Sequence, residues 1–269
     1  MNKPKSSFLM HRVSGRGEPL LLLNGALMSL AAWQPLMPRL ETSWKVIRTD
    51  FRGQFFSMGE QEPNLDAHVR DILALLDHLE LRRVHIAGVS FGSLAALRMA
   101  AHHPERVASI AAITSSDYLR PEGAWRLLEP VRDALLAEDA QWLHDLSLPM
   151  FADAYVAREQ EMLEQQRQWL LNLPELWYRG VGQIMAACQF IDLRDDLPQV
   201  RCPVLAVSAE HDRIFPPNEG KIVASAVRNG RFAMVPGAGH NLVIEKPQEL
   251  AEILVRFFSK IPLRPGGFF

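Results

Sequence analysis

Val84-His85-Ile86-Ala87-Gly88-Val89-Ser90-Phe91-Gly92-Ser93-Leu94-Ala95-Ala96-Leu97 is the stretch on which the reading of this chain turns. Its opening residues have the texture of a short buried strand, and from Leu94 onward the alanine- and leucine-rich run reads as a helix. A Gly-x-Ser-x-Gly between strand and helix is the sequence form of a nucleophile elbow, a tight turn that presents a serine hydroxyl at the top of a sheet. Glycine suits both flanks because the two backbones approach too closely there for a Cβ. Small residues cluster in many turns, so the pentapeptide gains weight from what lies downstream. Asp212 follows an apolar run, and His240 ends Gly237-Ala238-Gly239-His240. Serine, then acid, then histidine is the chain order expected of a triad built on such an elbow.

Short apolar runs alternate with helical patterns on either side of the elbow. Leu20–Leu23, Val46–Ile47, Val84–Ala87 and Val107–Ile113 read as strands, the last buried on both faces. Between them, residues 65, 69, 72, 73, 75, 76 and 79 are apolar at helical spacing, with Asn64 available as a cap. This alternation predicts βαβ units and a mostly parallel sheet.

From Asp117 to Asp196 the strand signal stops. Leu127, Leu128, Val131, Leu135 and Leu136 form one stripe, 154–171 reads as a second helix, and Pro174 opens a third that runs to about Phe190. Four of the six tryptophans fall in this segment. Strand texture returns at Pro203–Val207 and Arg231–Val235, a last helix spans Pro247–Phe258, and 261–269 reads as irregular. Residues 1–116 and 197–269 are therefore expected to form one α/β core, with 117–196 as a helical insertion.

Composition narrows the setting. Lys plus Arg number 29 against 31 Asp plus Glu, and the basic residues are scattered, which argues against a nucleic-acid partner. The two cysteines, Cys188 and Cys202, make neither a disulfide framework nor a metal-ligand spacing. No stretch is long and apolar enough to span a membrane, and no secretory signal is visible, so the expected compartment is the reducing cytoplasm.

Each site residue is chosen for its chemistry. Serine is a weak nucleophile unless a base takes its proton, so Ser90 is paired with His240. A carboxylate must hold the far imidazole nitrogen, and Asp212 sits just past a strand end, where sites on open α/β sheets gather. Asp117 and Glu210 are the alternative acids. The developing oxyanion needs two main-chain N–H donors: that of Phe91, after the nucleophile, and one from Asn24-Gly25-Ala26-Leu27, assigned to Ala26 with Gly25 permitting the backbone conformation. Asn24, Leu27, Trp125, Phe151, Trp177 and Met185 are candidates for the substrate pocket, although aromatics at helical spacing more often pack helix on helix.

Together these motifs resemble the α/β-hydrolase superfamily over nearly the whole chain: Leu22-Leu23-Asn24-Gly25, Asp50-Phe51-Arg52-Gly53, the elbow, Asp212 with Pro216, and Pro236–His240 with Glu245-Lys246-Pro247. The resemblance implies an eight-stranded, mostly parallel sheet, a helical cap between strands six and seven, and no requirement for a cofactor; no ligand cluster in the sequence supports a metal. Two places depart from the family pattern. Asn24-Gly25 stands where many members have His-Gly, and Arg52-Gly53-Gln54-Phe55-Phe56-Ser57 lacks the second glycine of Arg-Gly-x-Gly-x-Ser. Asn-Gly-Ala is similar to the subgroups of a rhamnolipid-precursor acyltransferase and of some enol-lactonases. The expected activity is hydrolysis of a small-molecule ester, lactone or thioester with a hydrophobic acyl group. The alternatives are acyl transfer from the same acyl-enzyme and, further off, a non-catalytic binding member of the fold. Oligomeric state is not legible.

Overall fold

The computed structural model describes residues 9–57 and 64–263. The irregular tail expected at 261–269 thus falls mostly outside the described residues. Seven strands form one sheet: β1 (His11–Ser14), β2 (Glu18–Leu23), β3 (Trp44–Thr49), β4 (Val84–Val89), β5 (Val107–Ile113), β6 (Val204–Ala209) and β7 (Gly230–Val235). Their order is β1-β3-β2-β4-β5-β6-β7. Only β1 runs antiparallel, pairing His11 with Thr49 at the edge. The eight strands expected are thus corrected to seven among the described residues. β1, four half-exposed residues with no apolar run, left no signal in the sequence.

The inner strands are apolar on both faces because both are covered. Leu20 and Leu22 point to one layer, with Ala87, Ala111, Leu205 and Val207. Leu21 and Leu23 point to the other, with Ile86, Ile110, Val204 and Ala206. All four leucines are fully buried, and each such side chain stabilises the fold by about 1.5–3 kcal/mol. The first layer carries α1 (Met37–Leu40) and α11 (Pro247–Phe258). The second carries α2 (Leu65–His78) and α3 (Phe91–His102). Asn64 caps α2 by accepting the Ala67 N–H at 2.8 Å, and Leu65, Val69, Ile72, Leu75 and Leu76 face the core. α9 (Pro217–Ala226) packs on β6 and β7, and α10 (Leu242–Glu245) precedes α11.

Between β5 and β6 the described chain is helical: α4 (Arg126–Leu136), α5 (Ala140–Ser147), α6 (Asp153–Arg158), α7 (Gln160–Leu170) and α8 (Glu175–Cys188). Two sequence readings change here. The single helix expected at 154–171 is two, broken at Glu159 (φ −106°, ψ 35°), where no glycine or proline marks the turn. In α4 the buried stripe is Leu128, Val131 and Leu135. Leu127 and Leu136 are 42% and 53% exposed, since each sits about 100° around the helix from that stripe. α5 lies outside the three helical stretches expected of this segment, and Asp139 caps it by accepting the Trp142 N–H.

Candidate active site

The elbow is built by close approach. A Cβ on Gly88 would lie 2.4 Å from the Gly92 carbonyl oxygen, and one on Gly92 would lie 2.4 Å from that of Leu23. Strand, turn and the neighbouring strand end therefore admit no side chain at either position. Between them Ser90 takes φ 49° and ψ −116°, a conformation costing about 1–3 kcal/mol. Its N–H donates to Ile113 O at 2.9 Å, and its hydroxyl does not cap α3. The side chain is thereby held at the carboxyl end of β4, over the start of α3.

His240 arrives on the loop that follows β7, the strand at the edge of the sheet. Its Nδ1 lies 2.9 Å from Asp212 Oδ2, so Nδ1 carries the hydrogen and Nε2 is left as an acceptor. Asp212 is itself fixed: Oδ1 accepts the N–H groups of Ile214 and Phe215, both at 2.8 Å. The Phe215 ring meets the imidazole edge-on at 5.5 Å. The other candidate acids are engaged elsewhere. Asp117 pairs with Arg120 at 3.2 Å, and Glu210 accepts the Gly237 N–H at 2.8 Å.

The loop bearing His240 is held more firmly than its glycines imply. Glu245 Oε2 accepts the N–H groups of both Gly239 and Ala152 at 3.0 Å, and Asn241 N–H donates to Met150 O at 3.2 Å. A Cβ on Gly239 would lie 2.6 Å from Ala152 N. Burial raises the Glu245 carboxyl above its ordinary range, while its two N–H partners pull it back down. Glu245 belongs to the Glu245-Lys246-Pro247 motif, whose residue types by themselves point to no role for it. Its work is to tie the histidine loop to the Met150–Ala152 segment.

Ser90, His240, Ala26 and Phe91 line one cavity. The Phe91 N–H is the first of α3, where a helix has no acceptor of its own, and the Ala26 N–H meets no acceptor among the described residues. Gly25 takes no left-handed torsion, contrary to the reason expected for it. A Cβ there would sit 3.3 Å from Met28 Sδ and at ordinary contact distance, 3.6 Å, from Ser90 Cβ. Apart from Asn241, the remaining wall is apolar, with Leu27, Met28, Leu94, Leu119, Leu128, Met150, Met185 and Phe215. Cys188 also lines it, and burial pushes its thiol up to about 12, so it stays a neutral, apolar wall.

Leu27 and Met185 thus fall in the cavity wall, whereas four candidates do not. Asn24 is fully buried and fully used: Nδ2 donates to Asp50 Oδ1 at 2.9 Å, and Oδ1 accepts Trp33 Nε1–H at 2.9 Å. Trp125 packs in the core with the Arg132 guanidinium over its ring at 5.3 Å. Phe151 stacks on Tyr155, and Trp177 lies against Phe55 and Trp169. These aromatics took the helix-packing role because large flat side chains find most of their burial where helices meet. The Leu94, Leu119 and Phe215 walls had no signal, since nothing local distinguishes an apolar residue facing a cavity from one facing the core. Among the described residues no group of three or more His, Cys, Asp or Glu is placed to hold a metal ion.

The chain belongs to the alpha/beta hydrolase fold family, whose model matches residues 18–247. A pimeloyl-(acyl-carrier protein) methyl ester esterase of Aeromonas hydrophila subsp. hydrophila is 26% identical over 250 residues, covering 90% of this chain and 96% of that protein. The solved enol-lactonase of Burkholderia xenovorans LB400 superposes with a TM-score of 0.85 at 26% identity, covering 93% of this chain and 96% of its own. An alpha/beta hydrolase from a Medee basin deep-sea metagenome library superposes at 0.89 with 20% identity, covering 96% and 97%. That last likeness concerns the fold alone.

Proposed function

We propose that this chain is a serine hydrolase that cleaves an ester or lactone of a small-to-medium hydrophobic acyl group through an acyl-enzyme on Ser90. The observation that carries this reading is that His240, bonded to Asp212 at 2.9 Å, lines one cavity with a strained Ser90 whose hydroxyl caps no helix. Ser90 Oγ attacks the acyl carbonyl carbon while His240 Nε2 takes the hydroxyl proton. Asp212 holds Nδ1–H and stabilises the imidazolium. The main-chain N–H groups of Ala26 and Phe91 receive the oxyanion, the second of them at the positive end of α3. Collapse breaks the bond to the leaving oxygen, which takes the proton from His240. Water then attacks the acyl-enzyme by the same route and releases the acid.

The lining also bears on the acyl group. Among the described residues of the wall, His240 is the one readily charged side chain, and no Lys or Arg is placed there to pair with a carboxylate. An ionised acyl chain would lose its hydration there with no Lys or Arg cation in exchange. The helical segment 117–196 serves in this reading as a cap over the carboxyl ends of the strands, supplying Leu119, Leu128, Met150 and Met185 to the pocket. The two unpaired, buried cysteines suit a reducing, cytoplasmic setting. No described helix is long and apolar enough to cross a membrane.

The test is a screen of p-nitrophenyl esters and lactones of graded chain length, with an ω-carboxylate counterpart for each chain. Neutral acyl esters should be hydrolysed with kcat/KM at least ~100-fold above the carboxylate counterparts, a difference on the scale of one unpaired buried polar group. Ser90→Ala should be inactive and take no fluorophosphonate label. Added alcohol acceptors should leave free acid as the main product. Active protein that stays unlabelled, or an equally active Ser90→Ala, would refute the nucleophile assignment.

A further inference from the structure

Gln54 is fully buried, and all its hydrogen-bonding capacity is used. Nε2 donates to the carbonyl oxygens of Gly25 and Ala26, both at 2.8 Å. Oε1 accepts the Phe51 N–H at 2.9 Å and Asn24 Nδ2–H at 3.3 Å. The neighbours dictate the amide's orientation, because only an NH2 group can face two carbonyls. Gln54 sits on the turn Phe51–Ser57, closed by Gly53 N–H to Ser57 O at 2.9 Å and Ser57 N–H to Gln54 O at 2.8 Å. It therefore bridges a rigid turn after β3 to the loop after β2.

We infer that Gln54 is a positioning residue that aims the Ala26 N–H into the cavity. This rests on the hydrolase reading and assigns a function to a side chain that touches neither the substrate nor the triad. The physical reason lies in the planarity of the peptide group. The Gly25 carbonyl and the Ala26 N–H belong to one trans peptide unit and point in opposite directions. Drawing the carbonyl toward Gln54 turns the N–H away from it, toward the cavity wall that Ala26 shares with Ser90. The second bond, to Ala26 O, stops the next peptide from rotating to compensate. Asn24 and Asp50 brace the same loop from behind, with Asp50 Oδ1 accepting the Leu30 N–H at 2.6 Å. A donor held this way needs no reorganisation when negative charge appears on the substrate oxygen.

Gln54→Met keeps the length and apolar volume but loses both donors. Gln54→Glu is nearly isosteric and offers at most one donor, and only when protonated. The variants are compared with wild type by thermal unfolding, by ester kinetics, and by affinity for an alkyl trifluoromethyl ketone, which forms a tetrahedral oxyanion adduct with a nucleophilic serine. Losing the aim of one of two donors should lower kcat about 10- to 100-fold in both variants, with KM within about threefold. Ketone affinity should fall by a similar factor. A folded variant that keeps kcat and ketone affinity within about threefold of wild type overturns the inference. So does a fall in kcat with ketone affinity retained, because a purely structural loss would not track the oxyanion. A wild-type protein that neither hydrolyses esters nor reacts with fluorophosphonate overturns the hydrolase reading itself, and the positioning role with it.

Discussion

At the scale of single residues, the site turns on how each polar atom is partnered. Asp212 has both oxygens assigned, one to His240 and one to the N–H groups of Ile214 and Phe215, so its position does not depend on the substrate. Asp212→Asn keeps the shape but presents an amide where an acceptor for Nδ1–H is needed, favouring the wrong imidazole tautomer. Its kcat should fall on the order of 10⁴-fold with little change in KM. Asp117→Asn, on the Arg120 side, should stay within a few-fold of wild type. Reversal of that ranking in steady-state kinetics would make Asp117 the acid. Phe55 shows a different compromise. It stands where the family pattern has a glycine, takes φ 28°, and stacks on Trp169 with ring centroids 5.3 Å apart. Packing thus offsets a torsion that glycine would adopt freely.

At the scale of elements, close approach controls the geometry. α3 starts hard against the end of β2, with a Cβ on Gly92 placed 2.4 Å from Leu23 O and 2.6 Å from Asn24 O. Both obstacles are backbone and cannot swing aside. Gly92→Ala should therefore cost about 1–3 kcal/mol in urea unfolding. It should also slow fluorophosphonate labelling more than tenfold, because the displaced helix carries the Phe91 N–H. Full labelling rate in a destabilised Gly92→Ala protein would show that the elbow tolerates the shift. A second contact of this kind joins α8 to the turn after β3, where a Cβ on Gly180 would lie 2.3 Å from Gly53 O. That glycine lets the helical segment lie directly on the turn that carries Gln54.

At the scale of the whole molecule, one buried carboxylate links the site's scaffold to pH. Desolvation raises Asp50 from its ordinary 3.8 to about 6, opposed by hydrogen bonds from the N–H groups of Leu30 and Phe56 and from Asn24. The folded protein therefore binds this proton more tightly than the unfolded chain. Charging Asp50 costs stability once pH is above about 6, and the cost is relieved as pH falls toward 4. The two values imply on the order of 2–3 kcal/mol. Asp50→Asn, always neutral, should remove this contribution. The wild-type minus Asp50→Asn difference in unfolding free energy should rise by that amount between pH 7 and pH 4. A difference that is flat across that range would show Asp50 to be an ordinary carboxylate in the fold.

The local signals in the sequence proved of two kinds. Leu20–Leu23, Val107–Ile113 and the Asn64-capped α2 were legible because burial on both faces, or along one stripe, leaves a periodic trace in neighbouring residues. The elbow was legible because Gly88 is demanded by backbone contact a few residues on, at Gly92, and because Gly92, though its own contact is with the distant end of β2, stands in the same short motif. The break at Glu159, the edge strand β1 and the inward turn of Asn24 left no such trace, since each depends on what packs against it from elsewhere in the chain.

By itself, then, the order of residues determined the α/β plan, the helical stretch between β5 and β6, and the short list from which the site is drawn. Folding in three dimensions decided which acid reaches His240, which apolar side chains face the cavity, and that Gln54 and Glu245 brace the two loops of the site. The reason is range: hydrophobic periodicity and turn chemistry act between near neighbours, whereas hydrogen bonds spanning 28 residues, as from Asp212 to His240, exist only once the sheet has brought their ends together.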